Sequence, residues 1–555
     1  MLSNIQIKSM SSLEKCFLDE ALSAKEELTH FTVFQNQRLA YQIGVVYTRP
    51  ERGKNYAQYK VRVLGDIAKY ATVRRVVCTP STFPCNEGIC DRKYLRFKPG
   101  LFPDLLQPLH YEHSIRLISD LLNALWVEVK LPENYPAGTY SLTVELVEGE
   151  GAVASQTVDV RVLDEELPPQ RLIHTEWFYT DCIADHYKTR VFSERHWKLI
   201  ENFLRRATEN GINMILTPIF TPELDTYVGG ERTTTQLLDI TVTEDGEYIF
   251  GFERVDRWID LCLSLGVKYF EIPHFFTQWG AKAAPKFVAT VKGKKKKIFG
   301  WETDAHSDEY KNFLAQLIPS LVDFLEKKGV ARNTFFHISD EPHLDQLEQY
   351  LKCKELIEPY IKDYPIIDAL SNYEFYEKGV LKKPVPTIRK IDPFIENKVE
   401  GLWAYYCGDS GPNITGRQFA MPACRTRILG VQLWLNNIEG FLHWGYNFYN
   451  NYRSYDKIDP FLYTDAEFFV PSGDSFLVYP GDDGTAWESI RINALREAME
   501  DMRLLDLCAE RIGREATEAI VTDTAGYKIT FTEYPMETNF LNRLRDRLIE
   551  AVEQA

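Results

Sequence analysis

The sequence predicts a multidomain chain: an N-terminal β-sandwich, then a TIM-like (β/α)8 barrel, then a small C-terminal extension. Three features predict it. Up to Leu163, short runs alternate apolar and polar residues with period two between turn residues, as antiparallel strands with one buried face do. Beyond Pro168-Pro169 the rhythm becomes strand, helix, strand, and it repeats until eight strand-like segments have passed. No glycine-rich phosphate turn follows the first of them, which favours a closed barrel over a doubly wound sheet. The expected domains are 1–166, 167–511 and 512–555, and a chain of 555 residues is too long for one core.

In the first region the clearest runs are Leu125-Trp-Val-Glu-Val-Lys-Leu131 and Thr139-Tyr-Ser-Leu-Thr-Val-Glu-Leu146. Their Pro-, Asn- and Gly-rich connection suggests a hairpin. Nothing in this region singles out a binding face, so its expected role is to buttress the second region. There the strands are expected at Ile173–Phe178, Ile212–Leu216, Val267–Ile272, Thr334–Ser339, Ile366–Leu370, Val385–Ile388, Gly401–Tyr406 and Gly440–Trp444. Helices are expected over Glu194–Asn210, Val255–Leu265, Asp308–Lys328, Leu344–Ile361, Glu488–Arg511 and, with an irregular start near Pro422, Arg417–Asn436. A hairpin-like insertion occupies Asp225–Phe252, with its turn at Glu244-Asp-Gly-Glu. A strand Tyr527–Thr532 and a helix Glu537–Glu553 make the extension.

Composition excludes several function classes. A formal charge of −16 disfavours nucleic acid, because phosphate binding needs clustered Lys and Arg. The single basic run, Lys292–Lys297, is short enough to be a solvated loop. No stretch of eighteen apolar residues could span a membrane, and no N-terminal signal segment is evident, so the expectation is a cytoplasmic chain with free thiols. Cys78, Cys85 and Cys90, followed by His110 and His113, lack the paired spacing of a zinc site, and neither metal nor cofactor is expected. Oligomeric state stays open. Aromatic residues reach 13%, a rich supply of rings able to stack on sugar faces.

The segment Thr334-Phe-Phe-His-Ile-Ser-Asp-Glu-Pro-His343 carries the chemistry. An apolar strand runs into Asp340 and Glu341, and Pro342 is expected to end it with Glu341 extended. Neighbouring side chains of a regular strand point to opposite faces, so both carboxylates reach one ligand only where the pleat breaks. The C-terminal rim of a barrel is such a place, and it is where catalytic groups gather. Other residues expected at that rim are Trp177, Asp181, His274, Trp279, Asn372, Tyr373, Trp403, Tyr405, Tyr406, Trp444 and Tyr446. Rings around two carboxylates suit a glycosidase.

Adjacent carboxylates suit a particular kind. Ordinary retaining enzymes hold nucleophile and acid about 5 Å apart across the bond. If the sugar carries a 2-acetamido group, its carbonyl oxygen can attack instead, and an intramolecular nucleophile is already in place. Asp340 would then orient the amide and offset the oxazolinium charge, while Glu341 would act as acid and then base. The charge of Asp340 is expected to raise the Glu341 pKa.

These residues resemble glycoside hydrolase family 123, the β-N-acetylgalactosaminidases acting on glycosphingolipid glycans, and in particular its clostridial endo-acting type. The resemblance rests on Ile338-Ser-Asp-Glu-Pro-His343, Gln278-Trp-Gly-Ala-Lys-Ala-Ala-Pro285, Phe299-Gly-Trp301, Glu439-Gly-Phe-Leu-His-Trp-Gly-Tyr446, and Tyr479-Pro-Gly followed by Ser489-Ile-Arg491. It implies a sandwich followed by a (β/α)8 barrel, retention through neighbouring-group participation, and the family's Asp-Glu pair at Asp340 and Glu341. The implied partner is an oligosaccharide or glycolipid glycan with non-reducing β-GalNAc. For the acetamido oxygen the candidates are Tyr405 and Tyr446; for its methyl or the ring face, Trp403 and Trp444. His274, Asn372 and Trp279 complete the expected binding set. An ordinary double-displacement glycosidase with Glu341 as acid/base, and a non-catalytic carbohydrate-binding barrel, are the alternatives.

Overall fold

The computed structural model describes residues 4–51, 53–109, 113–408 and 411–555. His110 falls outside these ranges. The N-terminal region is two facing five-stranded sheets. One runs in the order Ile5–Ser11, Arg38–Tyr47, Leu122–Lys130, Ala71–Ser81, Gly100–Pro108. The other runs His30–Val33, Gly151–Val162, Gly138–Glu148, Tyr56–Leu64, Ser114–Ile118.

Period two explains how the first sheet buries both faces. Leu125, Val127 and Val129 point into the core shared with the second sheet, among Tyr41, Ile43 and Val144. Trp126, between them, faces the other way and joins the core of the second region. The two runs expected to make a hairpin therefore make none. Leu122–Lys130 pairs with Arg38–Tyr47 and Ala71–Ser81, whereas Gly138–Glu148 pairs in the opposite sheet. Pairing each with its own sheet lets both runs bury their apolar faces in one inter-sheet core.

Buried ion pairs clamp the sandwich to the rest of the chain. Asp104, wholly buried, accepts from Nε and Nη2 of Arg491 at 2.8 and 2.9 Å and from the Tyr479 hydroxyl at 2.7 Å. Glu488, also wholly buried, receives Arg74 and Asn210. Truncating one partner of such a pair leaves a charge without solvent, a loss of about 3–5 kcal/mol.

Among the described residues, the second region is built on eight short parallel strands. Six form one sheet in the order Thr334–Phe335, Tyr269–Glu271, Met214–Leu216, Ile173–Glu176, Gly440–His443, Trp403–Tyr405. Ile367–Ala369 and Lys383–Val385 form a separate parallel pair. Single parallel bridges, Phe336 to Ile366 and Thr387 to Tyr405, join that pair to the two ends of the sheet. The strands are shorter than the apolar runs that encode them, because curvature limits regular pairing to two to four residues each.

Helices match their caps. Ser193 and Ser307 each accept a backbone N–H of the first turn, and Gly329, at φ 76°, ends the helix Asp308–Lys328. Three elements differ from expectation. Residues 417–421 are irregular, and only Ala423–Arg427 and Leu429–Leu435 are helical. There Gly430 lets the chain lie against Ala498, whose carbonyl would stand 2.0 Å from an added Cβ. Lys294–Phe299 is an edge strand, not a loop; it pairs with Phe287–Val291 through a turn whose residues Lys292 and Gly293 both have positive φ. Its lysines stay in solvent along the open edge of a four-stranded sheet that also contains the 239–251 hairpin. Finally, Tyr527–Thr532 forms no strand. Ile529 and Phe531 are buried with the alternation of one, but no ladder partner lies beside them among the described residues. The helix Arg514–Ala525, begun at Gly513, is an element that the apolar pattern of the sequence did not announce.

Candidate active site

The fourth strand brings the chain to the cleft. After Phe335 regular pairing stops, and Ile338 and Ser339 stay buried, the latter donating its hydroxyl to the Thr277 carbonyl at 3.1 Å. Asp340 is half-buried and Glu341 exposed. Glu341 is not extended before Pro342; its φ is 43°, in the left-handed region that costs a side-chain-bearing residue about 1–3 kcal/mol. That twist replaces the alternation of a strand, and both carboxylates line one cleft of about 300 Å³.

Trp177, Tyr179, Trp279, Tyr405, Trp444, Tyr452 and Phe469 supply its rings. Of the residues expected to bind, the structure thus gathers Tyr405, Trp444 and Trp279 around Asp340 and Glu341. It sets four others outside the lining. Tyr446 is buried, stacks on Phe178 and donates its hydroxyl to the Phe203 carbonyl at 2.8 Å. Trp403 begins the seventh strand at its N-terminal end, packed on Phe335 and over Gly440. Asn372 caps the helix Tyr373–Glu377. His274 is buried behind Trp177. Asp181 is equally structural, held in a buried pair with Arg232, while Tyr373 packs on Phe394 and Tyr406 on Phe441.

Polar chemistry beneath the rings fixes their position. Glu271, with no exposure, accepts from Trp177 Nε1 at 2.7 Å, the Thr175 hydroxyl at 2.7 Å and His337 Nε2 at 2.7 Å. The other nitrogen of His337 meets Asp368 at 3.1 Å. Asp368 also accepts from the Tyr350 hydroxyl at 2.5 Å and from the Ile338 backbone. Burial alone would lower the His337 pKa, but its hydrogen bonds to Asp368 and Glu271 carry it up to about 9. His274 lies over this imidazole, centroids 4.2 Å apart, and burial followed by the His337 charge drives its pKa well down. On the opposite wall Trp444 Nε1 donates to buried Asp474 at 2.9 Å.

Asp340 is pushed well above the usual carboxylate range, first by burial and then by the Glu341 charge. The burial of Asp340 and its neighbour's charge thus act together on that carboxyl. Glu341 accepts the Tyr405 hydroxyl through Oε1. His274, His337 and Asp368 bring possible ligand atoms within 4.8 Å of one another. Both His337 nitrogens already serve carboxylates, however, so a metal would have to break that network.

Sequence reasoning missed a third carboxylate. Asp225 lines the cleft at φ 48°, and burial first, moderated by Arg232, raises its pKa to about 7. Arg453, also left-handed, stands over Trp279 with its guanidinium carbon 4.6 Å from the ring centroid. Loop residues of this kind leave no periodic signal.

A family model, glycoside hydrolase 123, catalytic domain, matches residues 177–508. Among solved structures, a family 123 glycoside hydrolase from Clostridium perfringens, analysed for the details of glycolipid glycan hydrolysis, is similar over 99% of both chains. The identity is 16% and the TM-score 0.73, so the likeness is one of fold. A Bacteroides ovatus GH5 xyloglucanase is similar over 85% of this chain and 98% of its own, at 8% identity and a TM-score of 0.29, too low to define a shared fold. A search of curated protein sequences finds no match.

Proposed function

The chain belongs to glycoside hydrolase family 123 and is a glycoside hydrolase, and from that premise we propose that it is a retaining β-N-acetylgalactosaminidase using its substrate's own 2-acetamido group. The observation that carries this is the left-handed Glu341, which turns two adjacent carboxylates into one ring-lined cleft. The strands, joined through the Phe336–Ile366 and Thr387–Tyr405 bridges, support a (β/α)8 barrel with this cleft at its mouth.

In the first step the acetamido oxygen bonds to C1 as the bond from C1 to the leaving oxygen breaks. Glu341 gives the leaving oxygen its proton, while Asp340 accepts the amide N–H and faces the oxazolinium charge. In the second step water attacks C1, Glu341 takes its proton, and the bond from C1 to the amide oxygen opens. Burial and the Glu341 charge raise the Asp340 pKa, so the mechanism requires the amide N–H and the developing oxazolinium charge to draw Asp340 into its ionised form while Glu341 holds the proton. The proposed substrate is a glycan ending in non-reducing β-GalNAc, of the glycolipid type that the Clostridium perfringens enzyme hydrolyses.

Hydrolysis of paired aryl β-GalNAc and β-GlcNAc glycosides, with the 2-hydroxyl galactoside beside them, tests the proposal. The acetamido sugars should be cleaved, GalNAc faster, with Asp340→Asn removing most turnover. Equal cleavage of the galactoside would overturn it. A second mechanism, ordinary double displacement, is favoured only by the presence of Asp225 in the cleft. A covalent glycosyl-enzyme seen by mass spectrometry would select it.

A further inference from the structure

We propose that Asp225, Gln278 and Tyr179 form a hydroxyl-reading wall of the cleft, which binds adjacent hydroxyls of the terminal sugar and so sets sugar preference. The proposal rests on the function proposed above and deepens it.

All three residues line the cleft that holds Asp340 and Glu341. Gln278 is 6% exposed and Tyr179 1%. Each presents one buried polar atom with no protein partner among the described residues: Gln278 Nε2, the Tyr179 hydroxyl and Asp225 Oδ2. A buried polar group left unpaired costs about 1–3 kcal/mol, so three in one wall are tolerated where a ligand completes them.

The structural duties of these residues are met by other atoms. Gln278 Oε1 accepts from the Asp225 backbone N–H at 2.9 Å, which leaves the NH2 end of the amide as the unpaired one. The Asp225 carbonyl accepts from the Ser454 hydroxyl at 2.7 Å, and its carboxylate takes the Arg453 backbone N–H. Tyr227, just beyond, stacks on Tyr455 with centroids 4.5 Å apart. The loop is thus anchored without Oδ2. An acceptor and an amide donor on adjoining residues suit a vicinal diol: one hydroxyl donates to Oδ2, and its neighbour accepts from Nε2. A carboxyl that burial raises to about 7 is a weak nucleophile at neutral pH, but it remains a competent hydrogen-bonding group.

The test compares wild type, Asp225→Asn and Tyr179→Phe on aryl β-GalNAc and on its 3-deoxy and 4-deoxy analogues. Asp225→Asn should lower kcat/KM on the parent sugar about 10- to 100-fold, the range of a hydrogen bond to a charged group. On the deoxy analogue whose missing hydroxyl Asp225 reads, the same substitution should cost less than about twofold, because the contact is already gone. Wild-type KM should rise as pH falls through 7, and Asp225→Asn should flatten that rise. Tyr179→Phe removes only an unpaired hydroxyl and should show the same selective loss, which keeps the test alive if Asp225→Asn does not fold. Equal losses on the parent and both deoxy sugars, or a glycosyl adduct on Asp225, would overturn the inference. A wild type that cleaves no acetamido sugar would instead overturn the proposed function, and this inference with it.

Discussion

The Tyr405 hydroxyl donates to Oε1 of Glu341, joining the end of the seventh strand to the left-handed residue after the fourth. Tyr405 keeps its proton across the working range, since burial and then the Glu341 charge hold its pKa well up. It therefore acts as a fixed donor that sets the direction of an exposed carboxylate. Tyr405→Phe should lower kcat about tenfold, the scale of one hydrogen bond, with KM little changed. Steady-state kinetics with matched thermal melts check this; a loss confined to KM would make Tyr405 a substrate contact only.

Glu341→Gln removes the proposed proton donor while leaving the shape of the cleft intact. Turnover on a natural glycan should fall about 10²- to 10⁴-fold, the usual contribution of general acid catalysis. An aryl glycoside with a strongly acidic phenol hardly needs that proton, so its bond-breaking step should be largely spared. Plotting rate against the leaving-group pKa measures the difference: the slope should steepen in the variant. An unchanged slope would remove Glu341 from the acid role.

The alternation of strands and helices in the catalytic region was legible in its apolar runs, and so was a buried strand leading to Asp340 and Glu341. The left-handed turn at Glu341 was not, because Pro342 predicts an extended residue before it. Depth within the site was not legible either. Trp403 and Tyr405 lie two residues apart on one short strand and share a face, yet about 6–7 Å separates them along the axis. That distance leaves Trp403 at the floor and Tyr405 at the mouth. Tyr446 lies three residues past its strand, where face can no longer be inferred from alternation, and it turned inward to Phe203. Asp225 and Arg453 owe their positions to loop backbones in left-handed conformations, which no hydrophobic period records.

His337 ties the wall beneath Trp177 and Asp340 to the fold's stability. It is faced by Glu271, Asp368 and the tilted ring of His274, with Asp340 nearby. Its pKa is about 9 in the folded protein against 6.5 for the free group. A raised histidine adds stability that is fully present below 6.5 and disappears as pH climbs through 9, on the order of 3 kcal/mol. Asp368 and Asp340, both raised, slope stability the same way. Thermal melts between pH 6 and 10 should show wild type losing stability with rising pH. His337→Gln should be weaker at pH 6.5 and flatter across the window. A variant with an unchanged slope would show that the imidazole is not the titrating group.

The N-terminal end of the parallel strands should respond in stability and not in substrate affinity. Trp403 is fully buried, 5.4 Å from Phe335 between ring centroids, and a Cβ added to Gly440 would stand 2.2 Å from its indole. That contact is between a backbone and a rigid ring, so neither side can give. Gly440→Ala should destabilise by about 1–3 kcal/mol through overpacking. Trp403→Phe, which opens space at the same place, should also destabilise. The double variant should recover part of the loss, since the smaller ring makes room for the methyl. Urea denaturation gives the three free energies, and KM for an aryl β-GalNAc should stay within about twofold in each folded variant. A KM that rises about tenfold in Trp403→Phe would place the indole in contact with substrate after all.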